Sequence, residues 1–177
     1  MTKYICVHHT AVSYKVNHDQ FNAVNEYHKQ KWGMKSSLGY YGGYNYIISA
    51  AGIVRQYRKD GEETVAAMGH NFDSLHCALS GNFDHELPTE AQKEALKSLL
   101  RRLIALYSVD IANVVPHRSL IQSTDPKSCY GAKLSDSWAR DLLGEDDKIT
   151  LMKQIIEAAS KAVALLKRLL QTKTRIV

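Results

Sequence analysis

A chain of 177 residues, 45% apolar and with a mean hydropathy of −0.31, has material for one domain with a full core and an appendage. No run approaches the roughly 20 apolar residues of a helical membrane span, which excludes that class. The formal charge of +5 resides in residues 151–177, where six basic side chains face only Glu157, so attraction to an anionic partner belongs to the tail. The first 150 residues are close to neutral, and no nucleic-acid partner is expected.

Three cysteines, Cys6, Cys77 and Cys129, are too few and odd in number for a disulfide framework. Cys6 and Cys77 lie in apolar runs and read as small buried hydrophobes. The opening MTKYICVHHTAV lacks the layout of a secretory signal, so the expectation is a product made in the cytoplasm.

In chain order, Tyr4–Val7 reads as a buried strand that delivers His8, His9 and Thr10 at its C-terminal end. His18–Trp32 has helical spacing through Phe21, Val24 and Tyr27, with Asn17 as its N-cap. Gly33–Gly43 is a Gly-, Ser- and Tyr-rich loop. Tyr44–Ser49 and Ile53–Tyr57 are strands joined by the hairpin signal Ala50-Ala51-Gly52. Leu75–Leu79 is another strand. The clearest helix opens at Pro88-Thr89-Glu90, with Thr89 as N-cap, Gln92 completing a capping box, and a stripe through Ala91, Ala95, Leu99, Leu103 and Leu106.

Val109–Val115 returns as a strand and leads into Pro116–Gly131, whose Ser, Thr, Asp and Pro content predicts a loop. Leu134–Leu143 is a short helix, and the charged break Gly144–Lys148 marks a boundary. The predicted fold is α/β, a mixed central β-sheet flanked by helices over residues 1–143, with an amphipathic helical extension over 144–177. In the extension, Leu151, Ile155, Ala158, Ala162, Leu165 and Leu169 form one apolar row. Met152, Ile156, Ala159, Val163, Leu166 and Leu170 form a second beside it. Such a helix packs on its own domain, pairs with another copy, or reaches an anionic envelope or membrane surface.

Chemistry concentrates in the Pro116–Gly131 loop, where His117 and Cys129 offer half of a zinc site. A third ligand would come from the first strand. Alternation along a strand sends His8 and His9 to opposite faces, so only one of them is expected in a common site. The residues alone do not choose between them.

Three motifs in order, VHHTA at Val7–Ala11, GYNYII at Gly43–Ile48 and PHR…DPKSC at Pro116–Cys129, resemble the zinc amidases of N-acetylmuramoyl-L-alanine. That superfamily includes amidase-type phage lysozymes and the peptidoglycan recognition proteins. The likeness runs over about residues 3–143. It implies His8, His117 and Cys129 as ligands of one zinc ion and Tyr44 and Lys127 as catalytic residues. It places His70 along the cleft, and His9 beside it or packed behind the ligands, as weaker substrate-binding candidates. It further implies peptidoglycan as substrate, cleavage between N-acetylmuramic acid and L-alanine, and a phage-type endolysin that reaches the wall through a separate pore. A muropeptide-recycling amidase and a non-catalytic peptidoglycan-binding module are the alternatives. Two departures stand out: Tyr130 replaces a proline after the cysteine, and His76 replaces a glycine near the cleft floor. Neither is expected to touch a ligand, although a rival ligand set through His76 or Cys77 is conceivable.

Overall fold

The computed structural model describes residues 2–121 and 128–144, with 156, 160 and 163 beyond them. The chain separates into two compact units, Met1–Leu143 and Gly144–Val177. In the second, Ile156, Ser160 and Val163 are helical and exposed, and the rest of the two apolar rows lies outside the described residues. No described helix is long and apolar enough to cross a membrane.

The first unit is an α/β domain. Its elements are β1 (Tyr4–His9), α1 (Phe21–Trp32), β2 (Tyr46–Ile48), β3 (Val54–Gln56), β4 (Ser74–Leu79), α2 (Glu90–Tyr107), a 3-10 turn at Ile111–Asn113, β5 (Val114–Pro116) and the one-turn α3 (His117–Leu120). Residues 138–144 are also helical. The five strands form one sheet in the order β3-β2-β4-β1-β5. Among the described residues only the β2–β3 pair is antiparallel, so the sheet is mixed, as the sequence predicts.

β1 and β4 are buried almost without interruption, as parallel central strands covered on both faces are. On one face, Ile5, Val7, Leu75, Cys77 and Leu79 join Leu96, Leu99, Leu100 and Leu103 of α2 in the main core. On the other, Ile47 and Ala78 pack with Phe21 of α1 and with Tyr57. The register lines up Ile47, Ala78 and His8 in one row across three strands. The row on the α1 face thus ends in a polar side chain.

Helix α2 has the predicted capping box: Thr89 Oγ1 accepts the Gln92 N–H at 3.1 Å, and the Gln92 side chain accepts the Thr89 N–H. Thr89 also donates to the Ala50 carbonyl, and Gln92 Nε2 donates to the Ser80 carbonyl, so the cap ties the helix to the β2–β3 turn and the end of β4. Its buried face is rotated from the predicted stripe. Leu96, Leu99, Leu100 and Leu103 are buried, whereas Leu106 is 62% exposed.

Other boundaries shift. The N-cap of α1 is Gln20, not Asn17, and it makes no capping bond with its side chain. That side chain instead donates to the carbonyls of Val12 and Asn17 and accepts from Thr10 Oγ1, which pins the loop after β1. The strand predicted over Val109–Val115 is a 3-10 turn followed by β5, because the Asp110 carboxylate caps the Ala112 N–H.

Truncating Leu100, which is wholly buried, to alanine is expected to destabilise the fold by about 2–5 kcal/mol. Leu106→Ala should change it by no more than about 0.5 kcal/mol. Urea denaturation of the two variants checks the rotated face, and equal losses would contradict it.

Candidate metal centre

His8 enters the site from inside β1. Its ring is 1% exposed, its centroid lies 4.4 Å from that of His117 and 5.0 Å from that of Tyr44, and its Nδ1 is 3.7 Å from Cys129 Sγ. One donor atom each from His8, His117 and Cys129 lie within 4.8 Å of one another. A tetrahedral zinc with ordinary Zn–N and Zn–S bonds holds nitrogen and sulfur about 3.5 Å apart, close to the 3.7 Å between His8 Nδ1 and Cys129 Sγ, so the set is of a size that suits a zinc ion. Two neutral imidazoles and a thiolate also have the softness that zinc selects.

His117 is not on a loop as predicted. It is the first residue of α3, directly after β5, and Cys129 sits on the turn that follows the 122–127 segment. Arg118 locks these two pieces together. Its N–H donates to the Cys129 carbonyl at 2.8 Å, and its guanidinium donates to the carbonyls of Ser128, Gly131 and Leu134 and to the Asp136 carboxylate. Gly131, at φ +121, lets this turn lie against Phe83 where any Cβ would collide. Tyr130 points away from the cleft. It is wholly buried, donates its hydroxyl to the Ser135 carbonyl and packs edge-on against Trp138. Its replacement of proline therefore affects how the cysteine turn is anchored in the core, not the cleft wall.

The surrounding cleft, of about 460 Å³, is lined by His8, His9, Thr10, Ala11, Tyr44, Val65, Ala66, Asp84, His117, Ser128 and Cys129. His8 and His9 both border it at the C-terminal end of β1, but only His8 joins the donor cluster, as alternation along the strand predicts. His9 Nδ1 accepts the Phe83 N–H at 3.0 Å. His70 is not among the lining residues; its ring pairs with Asp73 at 3.1 Å and stands edge-on to Tyr4. Lys127 lies outside the described residues.

Tyr44 precedes β2 instead of starting it. Two neighbours hold it in place: His28 Nδ1 accepts the Gly43 N–H at 2.8 Å, and the Asn45 side chain accepts the His76 N–H at 2.8 Å while donating to the Lys59 carbonyl. Gly43 admits the Val65 carbonyl so closely that a Cβ would come within 2.5 Å of it. Burial pushes the Tyr44 phenol above its ordinary range, and nearby Cys129 and Cys6 push the same way, so it remains a protonated donor at neutral pH.

His8, His9 and His76 are correspondingly held neutral. Burial lowers His8 well below the usual histidine range, with His117 and His76 adding to it. Burial lowers His9 and takes His76 down to about 4. Burial works against the Asp84 charge, but bonds from the Ala132 N–H and the Ser128 hydroxyl outweigh it and hold the carboxyl below its ordinary value.

His76 does touch a candidate ligand, contrary to the sequence reading. Its Nδ1 is 2.9 Å from His8 Nε2. A second cluster of possible donors, Cys6, His8 and His76, shares that histidine. The sequence alone assigns no role to Arg118, His28 or Asn45 either. Only the adjacency of Arg118 to His117 and of Asn45 to Tyr44 could have pointed to them.

Comparison with known proteins agrees with this architecture. The chain matches the N-acetylmuramoyl-L-alanine amidase family over residues 1–132. No curated protein matches it by sequence. Among solved structures, the endolysin N-acetylmuramoyl-L-alanine amidase LysCS from Clostridium intestinale URNW is 27% identical with a TM-score of 0.60, covering 73% of this chain and 75% of that one. The amidase LysC of the same organism is 24% identical with a TM-score of 0.64, covering 82% and 85%. A variant of Drosophila PGRP-LB in complex with tracheal cytotoxin is 20% identical with a TM-score of 0.61, covering 75% and 77%.

Burial, with Lys31 and Arg58 nearby, lowers His28 from 6.5 to about 4. Its folded pKa is below its unfolded one, so unfolding takes up a proton and neutral His28 stabilises the fold above about pH 6.5. That contribution should fall as the pH drops from about 6.5 to about 4 and then level off. His28→Asn, which keeps an acceptor for the Gly43 N–H, should show a shallower loss in urea titrations across this window. An unchanged slope would show that His28 does not titrate there.

Proposed function

We propose, for a chain that belongs to the N-acetylmuramoyl-L-alanine amidase family, zinc-dependent hydrolysis of the amide between N-acetylmuramic acid and L-alanine of peptidoglycan. The family and its endolysin neighbours support peptidoglycan amidase activity. The observation that carries the zinc-dependent reading is the convergence of donor atoms from His8, His117 and Cys129 within 4.8 Å at the cleft beside Tyr44. Those three residues would hold the ion, which when bound supplies a Lewis acid that activates water and polarises a carbonyl.

This chain's other residues supply position and charge. Water adds to the lactyl amide carbon, and the C–N bond breaks to leave a carboxylate on the sugar and an amine on L-alanine. As charge builds on the carbonyl oxygen, the protonated Tyr44 hydroxyl is placed to donate a hydrogen bond to it. Lys127 adds a positive charge to the same oxygen, a role given by its place in the motif. His9 at the cleft edge contacts substrate; His70, whose ring pairs with Asp73, is the weaker substrate-binding candidate.

The host-lysis role, as a phage-type endolysin, goes with intact wall as substrate. A muropeptide-recycling enzyme would favour soluble fragments, and a binding module would dispense with the thiolate ligand that Cys129 offers. We further assign residues 1–143 to catalysis and 144–177 to an appended segment whose basic charge favours an anionic envelope surface, with self-association as the other outcome.

Clearing of purified cell walls should stop on complete zinc removal and return with zinc. Cys129→Ser should lose the metal. Tyr44→Phe and Lys127→Ala should retain it yet turn over about 10²–10³-fold more slowly. Clearing that persists without zinc would defeat the mechanism. For the tail, deletion of residues 148–177 should weaken binding to vesicles containing anionic lipid. Unchanged vesicle binding with a smaller oligomeric mass would assign the segment to self-association instead.

A further inference from the structure

His8 and His76 lie on the same face of the sheet. β1 pairs with β4 so that Cys6 is opposite His76 and His8 is opposite Ala78, which sets the two imidazoles on a diagonal. Their rings are 5.2 Å apart, and both are buried, 1% and 0% exposed. His8 Nε2 and His76 Nδ1 are 2.9 Å apart, and His76 Nε2 is 3.3 Å from the His70 carbonyl.

The proton positions follow by elimination. A carbonyl can only accept, so His76 Nε2 carries a hydrogen and donates it to His70. In a neutral imidazole the other nitrogen is then an acceptor. His76 Nδ1 therefore receives its hydrogen bond from His8, and His8 must be protonated on Nε2. That leaves the lone pair of His8 on Nδ1, the nitrogen 3.7 Å from Cys129 Sγ.

We propose that His76 is a positioning residue that fixes the tautomer and ring orientation of His8 for metal binding, through a relay that begins at the His70 carbonyl. It rests on the zinc reading above. His76 holds its own place through the Asn45 side chain, which accepts its backbone N–H. His70 contributes through its backbone, not its ring; its N–H donates to the Ala67 carbonyl, and Asp73 and Tyr4 hold the side chain. The relay joins the 64–73 loop to the metal centre.

The alternative, that His76 itself ligates with Cys6 and His8, fits less well. Two nitrogens on one tetrahedral zinc sit about 3.3 Å apart, whereas 2.9 Å is the spacing of a hydrogen bond. Residues that orient a metal-bound histidine are typically worth about 10–100-fold in metal affinity.

The test has two parts. In long-range proton–nitrogen correlation spectra of the metal-free protein, both His8 and His76 should be protonated on Nε2. That result does not depend on zinc. Zinc competition titrations should then show His76→Ala binding about 10–100-fold more weakly than wild type. His76→Asn, whose side-chain oxygen replaces Nδ1 as acceptor, should recover most of the loss. An Nδ1-protonated His8 in the wild-type spectrum would overturn the relay even if both variants misfold. Wild-type affinity in His76→Ala, with zinc still lost in Cys129→Ser, would overturn the positioning role and leave the zinc reading intact. A second zinc equivalent that disappears with His76 would make it a ligand and overturn the proposal. A wild-type protein that binds no zinc would instead overturn the reading on which the proposal rests.

Discussion

β1 is hydrogen-bonded along both edges, by β4 and β5, and five of its six residues are buried, with Ile5 and Val7 in the α2 core. A strand so enclosed cannot slide by one residue without turning every buried side chain to the wrong face. His8 is built into this strand and not appended to it, so its Cα is among the most constrained positions in the domain. The cost is the removal of two imidazoles from water, which keeps both neutral. Neutral is the state a metal ligand requires.

The other two donors are less enclosed and are held by different means. His117 follows β5 directly, and Cys129 lies on a turn with no regular structure of its own. Arg118 compensates by collecting three carbonyls and a carboxylate from residues 128–136 while its backbone binds Cys129. A planar guanidinium with five donors suits this task, and a lysine would not reproduce it. Gly131 and Tyr130 complete the anchoring, one by permitting close approach to Phe83 and one by filling the core. His28, Gly43 and Asn45 place Tyr44 through hydrogen bonds between backbone N–H groups and side chains.

Much of this was legible in the sequence. The β-branched and aromatic run at Tyr4–Val7, the Thr89–Gln92 cap and the hairpin at Ala50–Gly52 are local signals, and each appears as an element or its end. The motifs carrying His8, Tyr44, His117 and Cys129 are also local. The failures have a common cause. Residue type points to Asn17 as a cap and helical spacing to a stripe through Leu106, but Gln20 and Leu100 occupy those roles because of what the loop after β1 and the sheet present to each helix. The sequence places His117 on a loop because no pattern marks a single helical turn. In the sequence His76 reads as a departure without contact to a ligand, since nothing in the chain says that residues 68 positions apart share a hydrogen bond.

The sequence by itself determined the fold class, the capped helix, the family and the residue types able to bind a soft divalent metal, because these depend on short-range spacing and composition. Only the tertiary structure decided which nitrogen of His8 faces Cys129, that Arg118 joins two separate pieces of the centre, and that His9 lines the cleft while His70 does not. Those outcomes depend on strand register and on hydrogen bonds between distant segments. The Pro116–Gly131 stretch supplies His117 and Cys129 to the candidate centre, but the geometry of that centre is set by its neighbours in β1 and β4.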